Sequence, residues 1–202
     1  MRRLVAAALV LGFASTATAQ PDSAYYGLSL GSFDYEEDAV QPFFSGVSGN
    51  TDSWRIMVGY QLLEHMAVEG GLGKTSAIRD TATLTFVPAP GAPPVTETLD
   101  ISTEFSSLMI RMLGVLNFDN GVTLVGGIGY AEMNQDFFLS DQAGNSESFD
   151  QDVGEPTYYV GAQYDWDRFG LRLAYEKYEF PGGAFNDDGD INETTLSFFY
   201  RL

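Results

Sequence analysis

The last twelve residues, Ile191-Asn-Glu-Thr-Thr-Leu-Ser-Phe-Phe-Tyr-Arg-Leu202, set the pattern for the whole chain. From Leu196 onward, Leu196, Phe198, Tyr200 and Leu202 fall on one side and Thr195, Ser197, Phe199 and Arg201 on the other. Period-two alternation predicts a strand whose two faces meet different surroundings. An apolar strand left open at the terminus would be an aggregation hazard, and pairing it with the first strand of a closed barrel removes that edge.

Seven further strand candidates precede it. Residues 24–34 set Tyr26, Leu28 and Leu30 against Gly27, Ser29 and Gly31. Residues 52–62 set Trp54, Ile56, Val58 and Tyr60 against Arg55, Met57, Gly59 and Gln61. The third begins at Met66, with Val68 and Leu72 opposite Glu69, Gly71 and Gly73. It is expected to run on into a hairpin spanning residues 81–101, whose proline-rich tip occupies 88–94. The fourth returns through 103–116, with Leu108, Ile110 and Met112 against Ser107, Met109 and Arg111. The fifth covers 122–139, where Leu124, Gly126, Ile128 and Tyr130 oppose Gly127, Gly129 and Ala131. The sixth alternates Tyr158, Val160, Ala162, Tyr164 and Trp166 with Tyr159, Gly161, Gln163 and Asp165. The seventh alternates Phe169, Leu171, Leu173 and Tyr175 with Arg172, Ala174, Glu176 and Tyr178.

Three connections are short (63–65, 118–121 and 167–168), and Asn120-Gly121 suits the positive φ of a tight hairpin turn. The other four (35–51, 81–101, 140–154 and 181–190) are expected to be long loops. Strict alternation of short and long connections is the plan of an outer-membrane barrel, with short periplasmic turns and longer extracellular loops. Aromatics near the strand ends (Trp54, Tyr60, Tyr130, Tyr158, Trp166, Phe169, Tyr175, Tyr200) are placed for interfacial girdles. The expected fold class is all-β: an eight-stranded, antiparallel, up-and-down transmembrane β-barrel.

The start of the chain has the form of a secretory leader. Met1-Arg2-Arg3 precedes an apolar run from Leu4 to Phe13, and Ala17-Thr18-Ala19 offers small residues for cleavage. The run is shorter than the roughly 20 residues of a membrane-spanning helix. The expected division is a cleaved signal peptide, 1–19, and one barrel domain, 20–202, exported to the bacterial outer membrane. With no cysteine in the chain, a hydrogen-bonded framework must supply what disulfides give many exported proteins. The formal charge of −18 argues against binding nucleic acid through a basic patch.

The sequence resembles the small eight-stranded outer-membrane barrels, the family of the outer-membrane protein A transmembrane domain, OmpX and the opacity-type surface proteins. The residues that carry the likeness are Ala24-Tyr-Tyr-Gly-Leu-Ser-Leu-Gly31, Val58-Gly-Tyr60 and Leu196-Ser-Phe-Phe-Tyr-Arg-Leu202. The resemblance implies that the last strand, through Phe198, Tyr200 and Leu202, is read by the barrel-insertion machinery. The family's usual terminal phenylalanine is here Leu202. It also implies contact with outer-membrane lipid and lipopolysaccharide, a monomeric barrel, and a surface-contact or envelope-integrity role carried by the extracellular loops.

Candidate chemistry sits on the inward faces: Arg55, Glu69, Arg111, Asp165, Arg172, Glu176 and Arg201. Counted from the short turns, Arg55, Arg111 and Glu176 fall at one height, with Glu69 and Arg172 in a lower layer. Eight strands enclose an interior just wide enough for side chains, and charges there must pair. These residues are read as an interior plug of salt bridges rather than an ion gate. The alternative function is a narrow pore or a carrier of small, apolar molecules, for which the inner glycines (Gly27, Gly31, Gly71, Gly73, Gly127, Gly129, Gly161) would leave space. A soluble lipocalin-like binder would need an apolar lumen and would leave an aromatic band facing water. The only histidine, His65, falls in a short periplasmic turn rather than at the outer rim, so no enzymatic role and no cofactor are expected. Asp187, Asp188 and Asp190 superficially resemble a calcium loop but lack EF-hand spacing.

Overall fold

The computed structural model describes residues 24–37, 47–118, 121–141, 144–180 and 189–202. They form the strands β1 (Ala24–Glu37), β2 (Val47–Leu63), β3 (Met66–Thr75), β4 (Ile78–Phe86), β5 (Val95–Asn117), β6 (Val122–Asp141), β7 (Ser146–Trp166), β8 (Phe169–Phe180) and β9 (Gly189–Arg201). Neighbours pair antiparallel around a ring, and the seam closes between the first and last strands. Tyr25 pairs with Arg201 and Glu37 with Gly189, and Leu202 N–H donates to Ala24 C=O at 3.0 Å.

The nine strands make eight staves, because β3 and β4 are two pieces of one. Both pair with β5, β3 through Lys74 opposite Ser106 and β4 through Ile78 opposite Thr103. Between those points residues 75–77 face only 104–105, a one-residue bulge. An extra residue in a period-two strand exchanges its faces. Glu69 and Thr75 point inward on β3, and after the bulge the inward residue is Ile78, which is buried. The hairpin then runs to a tip where Ala92 N–H donates to Ala89 C=O at 3.0 Å. Pro90 and Gly91 are its central pair, with Gly91 at φ 85°. Proline followed by a positive-φ glycine is the composition of a type II turn.

The outward faces change character abruptly along every stave. The last apolar row toward the long-loop end is Leu30, Trp54, Leu72, Leu108, Tyr130, Tyr158, Tyr175 and Leu196. The next outward residues are Ser32, Asp52, Lys74, Ser106, Glu132, Pro156, Lys177 and Thr194. Below the boundary, leucine, isoleucine and aromatic side chains stand exposed, Ile128 at 66% and Leu173 at 59%. Segments such as 54–62, 108–116 and 158–166 at about 3.3 Å per residue, tilted by about 40°, span roughly 23 Å. A bilayer-facing apolar band of about 25 Å matches that height.

Two expectations about the connections are corrected. The loop expected at 140–154 is mostly strand: Tyr130 to Ser140 pair with Pro156 down to Ser146, leaving a tip at 142–145. Likewise 35–37 and 47–51 extend β1 and β2. The added lengths lie above the apolar boundary, where the outward face is polar and only scattered inward residues such as Tyr35, Phe149 and Val153 are apolar, so alternation marks a strand weakly. Expected leader residues 1–19 lie outside the described residues.

The lumen holds apolar side chains beside the charged ones. Phe33, Tyr35, Ile78, Ile101, Phe105, Met109, Met133, Phe137, Tyr178 and Ile191 form a buried apolar plug in its upper part. A smaller cluster of Ala67, Leu113, Val125, Tyr159 and Ala174 lies below. The charged side chains are held between the two.

Candidate functional site

Each inward charge is positioned by strand parity. Arg55 on β2, Glu69 on β3, Arg111 on β5 and Arg172 on β8 alternate with outward apolar or glycine neighbours, Glu176 on β8 sits between Tyr175 and Lys177, and all five are buried. Arg111 Nη2 lies 2.6 Å from Glu69 Oε2, and Arg172 Nη1 lies 2.6 Å from Glu69 Oε1. Glu176 Oε2 accepts from Arg55 Nη1 at 2.7 Å and lies 3.2 Å from Arg111 Nη1. Glu69 and Arg111 are direct cross-strand partners, so the two layers expected from the turn count merge into one network, with Arg111 as the bridge. The barrel's stagger between staves, invisible to counting from turns, accounts for the difference.

Three guanidiniums thus face three carboxylates, because a further member, Glu193, completes the set. It pairs with Arg55 Nη2, takes a hydrogen bond from Ser53 Oγ at 2.6 Å, and receives Tyr178 OH at 2.9 Å. Aromatic faces, hydroxyls and an amide supply further contacts. Tyr25 OH donates to Glu69 Oε1 at 2.5 Å, and Gln163 Oε1 accepts from Arg172 Nε at 2.8 Å. Arg111 Cζ sits 3.6 Å above the Tyr159 ring and Arg172 Cζ 4.3 Å above Phe199, within cation–π range. Asp165 and Arg201 form a separate pair at 2.8 Å. Both are partly exposed near the short-turn end, where Gln163 Nε2 also reaches Asp165 at 2.7 Å.

Sequence reasoning missed Glu193, Tyr25 and Tyr178 as members of this network. Glu193 lies two residues before Thr195 on the same face, so carrying the period back would have reached it. Its outward neighbours Asn192 and Thr194 are polar, and the contrast that exposes alternation is absent there.

The inner glycines do not open a passage. A Cβ on Gly127 would stand 2.0 Å from Met112 O, on Gly27 2.6 Å from the Phe199 ring, and on Gly161 2.9 Å from Ala174 Cβ. Their missing side chains are already replaced by neighbours, which corrects the expectation of lumen space. The gap bordered by Arg55, Ser107, Phe105 and Glu193 has a volume of about 10 Å³, near the least that holds one water.

The remaining candidates are dispersed. His65 is exposed, its side chain at 67%, in the turn between β2 and β3. Phe198 points outward among Trp166 and Phe169, Tyr200 packs on Tyr26 and Phe169, and Leu202 is exposed beyond them. Asp187 and Asp188 lie outside the described residues. Asp190 opens β9 in register with Glu36 and Glu179.

The closed ring, the outward band and the paired interior can be compared with known proteins. The model of the outer membrane protein beta-barrel domain family matches residues 4–201. The chain belongs to that family of outer-membrane β-barrels. Among solved structures it is similar to neisserial surface protein A, with a TM-score of 0.56, 11% identity, and coverage of 91% of this chain and 100% of that one. Ail, the attachment invasion locus protein of Yersinia pestis, gives 0.53 at 18% identity, covering 89% and 99%. OprG of Pseudomonas aeruginosa gives 0.51 at 13% identity, covering 91% and 98%. No curated protein matches. At these identities the likeness concerns the fold.

Proposed function

We propose that this barrel is a closed pedestal in the outer membrane that holds a β-sheet above the outer leaflet for surface contact. One observation carries the reading. Among the described residues the lumen carries buried ion pairs and an apolar plug, the gap beside Arg55 is about 10 Å³, and the strands run on well beyond the apolar boundary. β6 and β7 pair through Ser140 and Ser146, and the β4–β5 arm rises to Phe86 and Val95. This protruding sheet is where a partner can be met, and its outward Glu132, Asp136, Asp150 and Asp152 suit a cationic one.

Ail was crystallised with a heparin analogue, sucrose octasulfate. The −18 charge of this chain opposes a sulfated ligand, so its partner is of different chemistry. In this reading the protein is exported through its leader, acts as a monomer among outer-membrane lipid and lipopolysaccharide, and performs no catalysis. Its outward Phe198, Tyr200 and Leu202 are presented to the insertion machinery.

A narrow pore or carrier would require a continuous passage. Planar-bilayer recording with the purified protein separates the two. A pedestal gives no discrete, reproducible openings, and replacing the outer part of the arm, residues 84–97, by a tight turn changes only surface binding. Reproducible unitary steps that change with Glu176→Gln would replace this reading by the pore.

A further inference from the structure

We propose that Asn192 is the acceptor of an N-linked glycan carried on the outer face of the barrel. Asn192-Glu193-Thr194 is the only Asn-x-Ser/Thr triplet in the chain, the pattern that N-glycosylation requires, with x other than proline. Asp190 stands two residues before it, which extends the triplet to the Asp-x-Asn-x-Thr form that bacterial oligosaccharyltransferases accept. Strand parity puts all three on one side. Ile191 and Glu193 are buried toward the lumen, so Asp190, Asn192 and Thr194 point outward from β9.

The height and the contacts of Asn192 suit a sugar. Leu196 ends the apolar band on this strand, and four residues at about 3.3 Å each, tilted by about 40°, set Asn192 roughly 10 Å above it. Tyr175 OH donates to Asn192 Oδ1 at 2.6 Å, and among the described residues nothing bonds Nδ2, the atom to which a glycan is joined. A second, independent feature lies beside it. Asn192 borders an outward depression of about 330 Å³ with Asp34, Glu36, Ser48 and Asn50. The register places Asp34 between Asn50 and Asn192, and Glu36 opposite Ser48. These side chains are carboxylates, amides and a hydroxyl, partners for the hydroxyls of a sugar and a poor surface for an apolar ligand. The volume falls at the lower end of small-ligand pockets, about 300–1,000 Å³, so the first sugars have a bed next to the nitrogen that carries them.

The order of events follows from the fold. In the finished barrel Asn192 is held in register with Asp34 on β1 and Lys177 on β8, where a transferase cannot grip the segment. Transfer therefore precedes closure, while the exported chain is still unfolded in the periplasm. The donor is an oligosaccharide linked to a polyprenyl pyrophosphate. A bond forms between sugar C1 and Asn192 Nδ2, and the bond from C1 to the pyrophosphate oxygen breaks. The carrier leaves as its pyrophosphate, and the amide nitrogen gives up one proton. Because the acceptor faces outward, the barrel closes without a glycan in its packed interior.

The test uses the protein purified from the outer membrane of the bacterium that makes it. Trypsin releases the peptide Tyr178–Arg201, which holds the whole motif. The proposal predicts that most copies of this peptide carry added mass, that fragmentation yields sugar oxonium ions, and that electron-transfer dissociation places the mass on Asn192. Asn192→Gln and Thr194→Val each abolish the added mass, whereas Thr194→Ser retains it. Heat-modified gel mobility confirms that each variant is folded, and the native peptide decides by itself where a variant does not fold. A native peptide at its unmodified mass, sugar on another residue instead, or a glycan that persists after Thr194→Val overturns the proposal.

Discussion

Replacing Glu69 by glutamine separates a paired interior from a merely polar one. Glu69 is fully buried and holds two guanidiniums, Arg111 and Arg172, each at 2.6 Å. After Glu69→Gln, Arg111 still has Glu176 at 3.2 Å. Arg172 is left with the neutral Gln163 and Tyr159 oxygens at 2.8 and 3.3 Å. Removing one partner of a buried pair costs about 3–5 kcal/mol, mostly because an uncompensated charge remains. Glu176→Gln is milder. Arg55 keeps Glu193 and Arg111 keeps Glu69, so the loss is that of charge-assisted hydrogen bonds, about 1.5–3 kcal/mol. Adding Arg172→Gln to Glu69→Gln removes the stranded charge and recovers much of the loss. The assay is equilibrium urea unfolding in phospholipid vesicles, followed by the fluorescence of Trp54 and Trp166 at the two rims of the band. At 1.4 kcal/mol per decade, Glu69→Gln shifts the folding equilibrium more than about a hundredfold. If it costs no more than Glu176→Gln, or if the double variant is worse than the single, the pairing described here does not govern stability.

Three further outcomes follow from the same geometry. Gly127→Ala forces a Cβ to 2.0 Å from Met112 O, and is expected to abolish the heat-modified gel band that marks a folded barrel. Leu173→Arg places a charge in the middle of the outward band and costs about 2–4 kcal/mol, whereas Thr194→Arg above the boundary costs about 0–1 kcal/mol, by the same unfolding assay. Above the band, burial and the nearby Glu179 hold the Glu155 carboxyl above its usual 4.5. The folded protein therefore binds this proton more readily than the unfolded one. Stability rises as pH falls through the raised value and levels off below 4.5; Glu155→Gln removes that part of the pH dependence in urea titrations.

How much of this was legible in the sequence depended on what lies outside each strand. Within the hydrocarbon band, Trp54, Ile56 and Val58 alternate with Arg55 and Met57 because one face meets lipid and the other the lumen. There every inward charge could be assigned from parity alone. Above the band the outward face of 146–155 and 189–194 is polar, and the inward face mixes Phe149, Val153 and Ile191 with Glu155 and Glu193, which leaves a weak period-two signature. The same loss of contrast concealed Glu193. The apolar plug was hidden for a different reason. Phe33, Phe105 and Phe137 are as hydrophobic as lipid-facing residues, and only the ring closure shows that they meet one another. Pairing within the network depended on stagger between staves, which no single strand records.

The central claim is that outward residues of each stave face hydrocarbon while their neighbours face a closed interior. It is tested most directly by single-cysteine spin labels at successive positions from 158 to 166 and 169 to 176, in a chain with no native cysteine, measured in bilayers. Labels at 158, 160, 162, 164, 171, 173 and 175 should collide freely with membrane-dissolved oxygen and little with a polar relaxant. Labels at 159, 161, 172, 174 and 176 should be shielded from both. Absence of this two-residue rhythm, or oxygen access at the inward positions, would contradict the account.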